Sequence, residues 1–189
     1  MMKFVLILTL LFVMLPVGYA VEVRGWCDGA FYGTSTLHDF SGTVRSRPFT
    51  ASFAEKQYGI EDLEGVPMRV RVRDMDTGNR RMNENMYKMF EVKKYPVITG
   101  TVAESRARET ASSGDTPRRV TFAITIQDRT KHIDAAIKDV RRRGGRVETD
   151  VEFNVSLNAF GLKPPTFFGI FRVHDKVRVT MTIVLTEAA

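Results

Sequence analysis

The chain has 189 residues, a formal net charge of +6 and one cysteine, Cys27. This length corresponds to one ordinary domain whose core can be buried without covalent cross-links, and a single cysteine excludes an intrachain disulfide framework. Mild basicity alone is compatible with binding to nucleic acid, binding to an anionic surface, or neither.

The first 20 residues have the parts of a secretory signal peptide. A lysine at position 3 precedes an apolar stretch at 4–17, and Gly18 and Ala20 are small residues before a possible cut. We predict cleavage after Ala20, so that residues 21–189 form a single mature domain. The apolar run is short for a retained membrane anchor. Export makes nucleic acid an unlikely partner.

Most of the mature chain alternates apolar and polar residues with a period of two. Val70 and Val72 alternate with arginines in this way, and Phe153 and Val155 alternate with polar residues. This pattern is typical of strands with one buried face and favours an antiparallel sheet. The predicted strands are 29–36, 42–53, 68–73, 99–107, 120–127, 133–140, 146–157 and 177–186. About eight such strands in one domain indicate a sandwich or a closed barrel.

One segment breaks the period of two. Its apolar positions follow the spacing of one helical face, and they are Met82, Met86, Met89 and Phe90. We predict a short helix there, with Asn83 as its N-cap and Tyr95-Pro96 beyond its end. Methionines suit either an irregular core or a site for a flexible apolar ligand, and the pattern alone favours core filling.

A bend near the C-terminus is unusually aromatic. Gly161, Pro164 and Pro165 predict a turn, and Phe167, Phe168 and Phe171 follow closely. Surface loops are normally polar, so these rings either fill a core or line a cavity.

Residue spacings typical of catalysis are missing. His38, His132 and His174 lie far apart and in no metal-ligand spacing, and no nucleophile motif occurs. Cys27, next to Trp26, is interpreted as a buried small hydrophobe. We therefore predict a protein that is not an enzyme and needs no metal or cofactor.

Four motifs occur in the order in which they occur in a known family. They are residues 33–42, residues 76–79 followed by 93–98, residues 126–131, and residues 160–165 followed by 174–177. Together they resemble the YceI-like polyisoprenoid-binding family over nearly the whole mature chain. The resemblance implies an all-β, extended antiparallel lipocalin-like β-barrel of about eight strands, with one short helix at 83–92. It also implies a periplasmic protein with a central channel for a long isoprenoid lipid.

The chain departs from the family pattern at two places that would border such a channel. Many relatives carry an Arg-Asp pair and a Phe-Phe pair across the helix, whereas this chain has Arg81-Met82-Asn83 and Met89-Phe90. A stretch that often contains phenylalanine is Thr99-Gly100-Thr101 here. These changes leave the implied fold intact and affect the ligand.

Two hypotheses follow. The first is a periplasmic carrier of an isoprenoid or other long amphipathic lipid, with possible membrane-surface contact through arginines such as Arg141-Arg142-Arg143. The candidate ligand-binding residues are Val70, Val72, Met86, Met89, Phe90, Ile124, Phe153, Val155, Phe167, Phe168 and Ile170. The second is a filled barrel that acts through its surface as a stress-response or interaction module, without a bound lipid.

Overall fold

The structure, a computed structural model, describes residues 20–54, 58–105, 119–164, 166–167 and 171–188. Within these ranges the chain forms ten strands and one α-helix. The strands are β1 (Val21–Ser35), β2 (Phe40–Arg45), β3 (Phe49–Phe53), β4 (Met68–Arg71), β5 (Val97–Ser105), β6 (Arg119–Ile126), β7 (Arg129–Arg143), β8 (Arg146–Ser156), β9 (Thr166–Phe167) and β10 (Phe171–Glu187). The helix α1 is Arg80–Met89.

The main sheet is antiparallel and runs in the order β2-β1-β10-β8-β7-β6-β5-β4. Its two outer strands are brought together by backbone hydrogen bonds. The N–H of Thr43 donates to the carbonyl of Asp76 at 2.7 Å, and the N–H of Arg47 donates to the carbonyl of Arg69 at 2.6 Å. Each bond joins one outer strand to the segment that follows the other, so the barrel is nearly closed. The predicted antiparallel lipocalin-like barrel of about eight strands, with one helix, is confirmed.

The alternation seen in the sequence sets the two faces of this barrel. Val120, Phe122, Ile124 and Ile126 of β6 are buried, and the residues between them are only partly covered. A single cluster of buried side chains from all the long strands forms the core. At the β7–β8 hairpin, Gly144 and Gly145 have φ values of 50° and 75°, as a two-residue type I′ turn requires.

Several strand boundaries differ from the prediction, for example β7 and β10, which begin at Arg129 and Phe171 rather than at 133 and 177. Two further differences have a local physical reason. The predicted strand 42–53 is two strands, β2 and β3, which both pair with β1. Pro48 cannot donate to a ladder, and the buried Ser46 before it accepts a bond from the N–H of Cys27 at 2.8 Å, so the chain leaves the sheet there. β1 begins at Val21 rather than at 29. The prediction missed its first half because the inward positions there include Gly25 and Cys27, which give little apolar signal.

The segment after β3 covers one end of the barrel, which we call the closed end. Tyr58, Ile60 and Leu63 are buried there, with exposed fractions of at most 2%. The Tyr58 ring stacks on Phe53 with centroids 5.2 Å apart, and its hydroxyl donates to the carbonyl of Gly145 at 2.6 Å. The core is therefore continuous up to the β7–β8 turn.

Candidate ligand-binding cavity

The other half of the barrel contains a cavity of about 590 Å³. Inward side chains of the long strands form its wall, such as Phe31 of β1, Phe122 of β6 and Val177 of β10. Exposed residues also belong to the wall, among them His38 and Arg81, so the cavity reaches solvent on their side. We call this side the open end. The volume lies within the usual range of small-molecule sites, about 300–1,000 Å³.

Seven of the predicted ligand-binding residues lie together in the cavity wall. They are Val70, Met86, Met89, Phe90, Ile124, Phe153 and Val155. Val72 is buried but lies outside the wall, in a 3-10 turn whose first N–H donates to the carbonyl of Pro96 at 2.9 Å. Phe168 and Ile170 lie outside the described residues, as do the side chains of Phe167 and Phe171.

Sequence reasoning missed several wall residues. Phe31 lies in a strand that was predicted, but its inward face was not assigned, and Val177 and Val179 alternate clearly without having been proposed. Gly100 is the most informative of these. A methyl group added to its Cα would have no atom within 4 Å, so the cavity extends to the backbone of β5 at this point.

The helix α1 lies along the open end and is fixed there by polar side chains. Its N-cap is Asn79, whose side chain accepts from the N–H of Met82 at 3.1 Å, and the predicted cap at Asn83 is wrong. Asn83 instead accepts from the N–H of Thr77 at 2.9 Å and donates to Asp76 at 2.7 Å. These bonds anchor the first turn of α1 to the segment that closes the barrel.

Hydrogen bonds from Asn83 and the N–H of Gly78 hold the pKa of Asp76 below its usual range. The ionised carboxylate is thus the stable form in this network. With α1 fixed in this way, its apolar side is turned to the cavity through Met82, Met86 and Met89.

The turn between β1 and β2 also borders the open end. The Ser35 hydroxyl accepts from the N–H groups of Leu37 and His38 and donates to the carbonyl of His38 at 2.7 Å. This bonding orders the turn and leaves Leu37 61% exposed at the mouth of the cavity. An apolar side chain thus borders the entrance from solvent.

Comparison with known proteins identifies the family of this barrel. A family model described as the YceI-like domain matches residues 17–185. The chain belongs to the YceI-like family. Comparison with curated proteins found no significant match.

Two solved structures share the fold of this YceI-like protein. Burkholderia cenocepacia BcnA is similar with a TM-score of 0.59 and 16% identity, over 84% of this chain and 95% of BcnA. A polyisoprenoid-binding domain from Saccharophagus degradans, implicated in plant cell wall breakdown, also gives a TM-score of 0.59, with 12% identity over 90% of this chain and 100% of that domain. At these identities the likeness shows the fold alone.

The single cysteine of this YceI-like protein lies in the cavity wall. Cys27 is 1% exposed, and its sulfur lies 3.6 Å from the sulfur of Met68. Burial raises the pKa of the thiol to about 12, so it stays protonated near neutral pH and is a poor nucleophile. The interpretation of Cys27 as a buried small hydrophobe is confirmed.

The described ranges contain neither a candidate metal site nor a candidate membrane-spanning helix. No group of three or more potential metal ligands from His, Cys, Asp and Glu clusters there. Within the same part of the chain, no helix combines the length and the apolar character that a bilayer crossing needs.

The arginine-rich strands β7 and β8 carry their charges outside the barrel, toward the closed end. Arg141 contacts Asp139, Glu148 and Asp150 at 2.7, 3.2 and 2.6 Å. These hydrogen bonds raise the pKa of Arg141 above its already high value and lower that of Asp150. Much of the charge in this cluster is therefore neutralised within the protein.

Proposed function

We propose that this protein binds and carries a long amphipathic lipid of the isoprenoid type, with the lipid chain inside the barrel. The observation that supports this most directly is an apolar cavity of about 590 Å³ that reaches solvent on the side of His38 and Arg81. Its wall is apolar along most of its depth, with Phe122, Ile124 and Phe153 among its members. A flexible hydrocarbon chain matches such a wall better than a polar ligand does.

Energetics support tight binding even if only part of a lipid chain enters. About a dozen buried carbons at about 0.8 kcal/mol each contribute roughly 10 kcal/mol before the ordering entropy is subtracted. The three methionines of α1 that face the cavity are flexible and polarisable, so they can adapt to a branched chain. The similar fold of a polyisoprenoid-binding domain agrees with this class of ligand.

Export to the periplasm is part of the proposal. The predicted cut after Ala20 would leave Val21 as the first residue, and β1 begins at Val21. The mature chain would thus start directly in the barrel. An intact mass that corresponds to residues 21–189, measured on protein from a periplasmic extract, would support this, and a mass that includes residues 1–20 would contradict it.

The alternative function is a filled barrel that acts through its surface. The cavity weighs against it, since a filled barrel of this size would have closely packed side chains throughout. We also propose a binding role without catalysis, because the one cysteine is protonated and the described residues contain no metal-ligand cluster. Contact with a membrane surface fits the open end best, because Arg81 and the exposed Leu37 both border the cavity there.

Gly100 offers a direct test of the cavity. Leucine in place of Gly100 would project into free space, because an added side chain meets no atom within 4 Å, and it would occupy part of the lipid site. Thr101→Leu is the matched control, since Thr101 lies on the outer face of the same strand. Protein purified from cells would be measured by native mass spectrometry, with thermal unfolding in parallel.

We expect the wild type and Thr101→Leu to retain a lipid, and Gly100→Leu to lose most of it while its unfolding temperature is kept or raised. A wild-type chain that carries no lipid and takes up none when offered an isoprenoid would contradict the proposed function. Retention of the same lipid by Gly100→Leu would contradict the assigned position of the lipid chain in the cavity.

A further inference from the structure

The cavity wall is sorted by polarity along its depth. Its deeper part is apolar apart from Cys27 and Ser46, while several polar side chains lie at the open end. They include His38 from the turn after β1, and Arg81 and Asn85 from one side of α1. The wall also contains Ser35, Thr77 and Asn79, whose side chains are bonded within the protein. The mouth therefore differs chemically from the tube behind it.

The charged side chain at the mouth of the cavity is positive. Arg81 is the one cation, apart from His38 when protonated, among the described wall residues, and no Asp or Glu of the described chain belongs to the wall. Cations outnumber anions only moderately over the whole chain, 28 to 22, so a wall without a carboxylate is not a simple consequence of composition.

Arg81 also differs from other arginines in what it contacts. Arg71 binds Asp74 at 2.7 Å, and Arg80, next to Arg81, reaches Glu84 at 3.9 Å. Arg81 has no ion-pair partner in the described part of the chain. The Asn85 amide is half-buried and likewise has no hydrogen-bond partner among the described residues. A half-buried amide that borders the cavity without a protein partner in the described ranges is available to bond to a ligand.

The carboxylates near the mouth are engaged elsewhere. Asp76 accepts from Asn83 and Gly78, Asp175 accepts from the N–H of Asn158 and the hydroxyl of Ser156, and Glu84 faces Arg80. Asp39 is exposed and lies outside the wall. None of these groups neutralises Arg81.

We propose that the mouth of the cavity binds an anionic head group, a lipid phosphate or carboxylate, with Arg81 as its main partner and Asn85 and His38 as further hydrogen-bond donors. The proposal rests on the proposed function, since the lipid chain lies in the cavity. A guanidinium donates two parallel hydrogen bonds to a phosphate or a carboxylate, a match that a neutral hydroxyl or quinone carbonyl lacks. The ligand class narrows from any amphipathic lipid to an acidic one.

The test compares two lipids with the same chain, geranylgeranyl phosphate and geranylgeraniol, by calorimetric titration of delipidated protein. We expect wild type to bind the phosphate more tightly. Arg81→Gln should weaken the phosphate roughly tenfold and change the affinity for the alcohol less than about twofold. Arg80→Gln is the matched control, because Arg80 is 94% exposed, faces Glu84 and lies outside the wall.

Three outcomes would overturn the proposal while leaving the lipid-carrier function standing. The first is equal affinity of the wild type for the two lipids. The second is an equal loss of affinity for both lipids in Arg81→Gln. The third is inorganic phosphate binding as tightly as geranylgeranyl phosphate, which would indicate a site for a free anion. Failure of the wild type to bind either lipid would instead contradict the carrier function itself. Asn85→Leu provides a second variant, which should also lose affinity for geranylgeranyl phosphate but not for geranylgeraniol.

Discussion

The two ends of this barrel treat their polar groups in opposite ways. At the closed end, the hydroxyl of Tyr58 donates to Gly145, and the backbone carbonyl of Tyr58 accepts from Arg142 at 2.5 Å. At the open end, the side chains of Arg81 and Asn85 border the cavity with no partner in the described part of the chain. These polar groups of the closed end are hydrogen-bonded within the protein, whereas Arg81 and Asn85 at the open end present donors to a ligand.

Apolar residues follow the same division. Leu63 at the closed end is completely buried, whereas Leu37 at the open end is 61% exposed. Burial of apolar surface is the main favourable term in folding, so the closed end should supply much of the stability. The open end can therefore contain a cavity and unpaired donors. These features lower the stability of the ligand-free protein but favour ligand binding.

The largest expected effect is a difference in stability between truncations at the two ends. Leu63→Ala should lower the free energy of unfolding by about 3 kcal/mol, because it creates a new void in a packed region. Met89→Ala, at the half-buried wall of the existing cavity, should lower it by only about 1 kcal/mol. Urea unfolding of the delipidated proteins measures both. Equal losses would mean that the cavity region is packed as tightly as the closed end.

The main features of the fold could be predicted because they depend on local pattern. Alternation in β6, β8 and β10 gives their inward faces directly, and the Gly144-Gly145 turn determines the pairing of β7 with β8. The spacing of Met82, Met86 and Met89 likewise predicted the helix and its apolar side, although the pattern alone favoured core filling over a ligand site. In each case the residues that form the element also carry its signal.

Other features could not be predicted because they depend on distant contacts. Asn79 and Asn83 are equally good caps in sequence, and only the bonds of Asn83 to Thr77 and Asp76 decide between them. The break at Ser46 depends on Cys27 of the neighbouring strand. Inward residues of modest size fit a filled barrel as well as a hollow one, so the cavity itself was visible only in three dimensions.

A smaller effect is expected from a pair of tyrosine hydroxyls, one near each end. Tyr58→Phe should cost about 1 kcal/mol of unfolding free energy, because the buried side chain of Tyr58 loses its hydrogen bond to the carbonyl of Gly145 while the stacking on Phe53 is kept. Tyr87→Phe is the matched change at the open end. Its hydroxyl donates to the carbonyl of Met75 at 3.0 Å, but the residue is only half-buried and water can replace the bond, so a smaller cost is expected. Chemical denaturation of both variants distinguishes the two cases.

Acid should weaken the outer charge network of the closed end. Hydrogen bonds from Arg141 and Thr182 lower the pKa of Asp150 below its usual value of 3.8. Because the folded pKa is the lower one, ionised Asp150 stabilises the fold above the unfolded pKa, and this contribution is lost as the pH falls through the folded pKa. The partly exposed site limits its size.

Asp150→Asn removes this titration. The variant should be slightly less stable than wild type at about pH 7, and the gap should narrow at about pH 3, as measured by urea midpoints. A gap that stays constant across this range would show that Asp150 acts through packing or neutral hydrogen bonds rather than through its charge.

The smallest change in stability is expected at Leu37, where the effect should be on membrane contact instead. Leu37→Ser removes an exposed side chain, so its unfolding free energy should stay within about 0.5 kcal/mol of wild type. The cavity reaches solvent at the open end, so a lipid should enter there and that end should face the bilayer, with Leu37 at its surface. Sedimentation with phosphatidylethanolamine–phosphatidylglycerol vesicles should therefore fall for Leu37→Ser. It should stay unchanged for Arg143→Gln, an exposed arginine of the closed end. The reverse result would mean that the arginine-rich strands meet the membrane, and that the cavity mouth faces away from it.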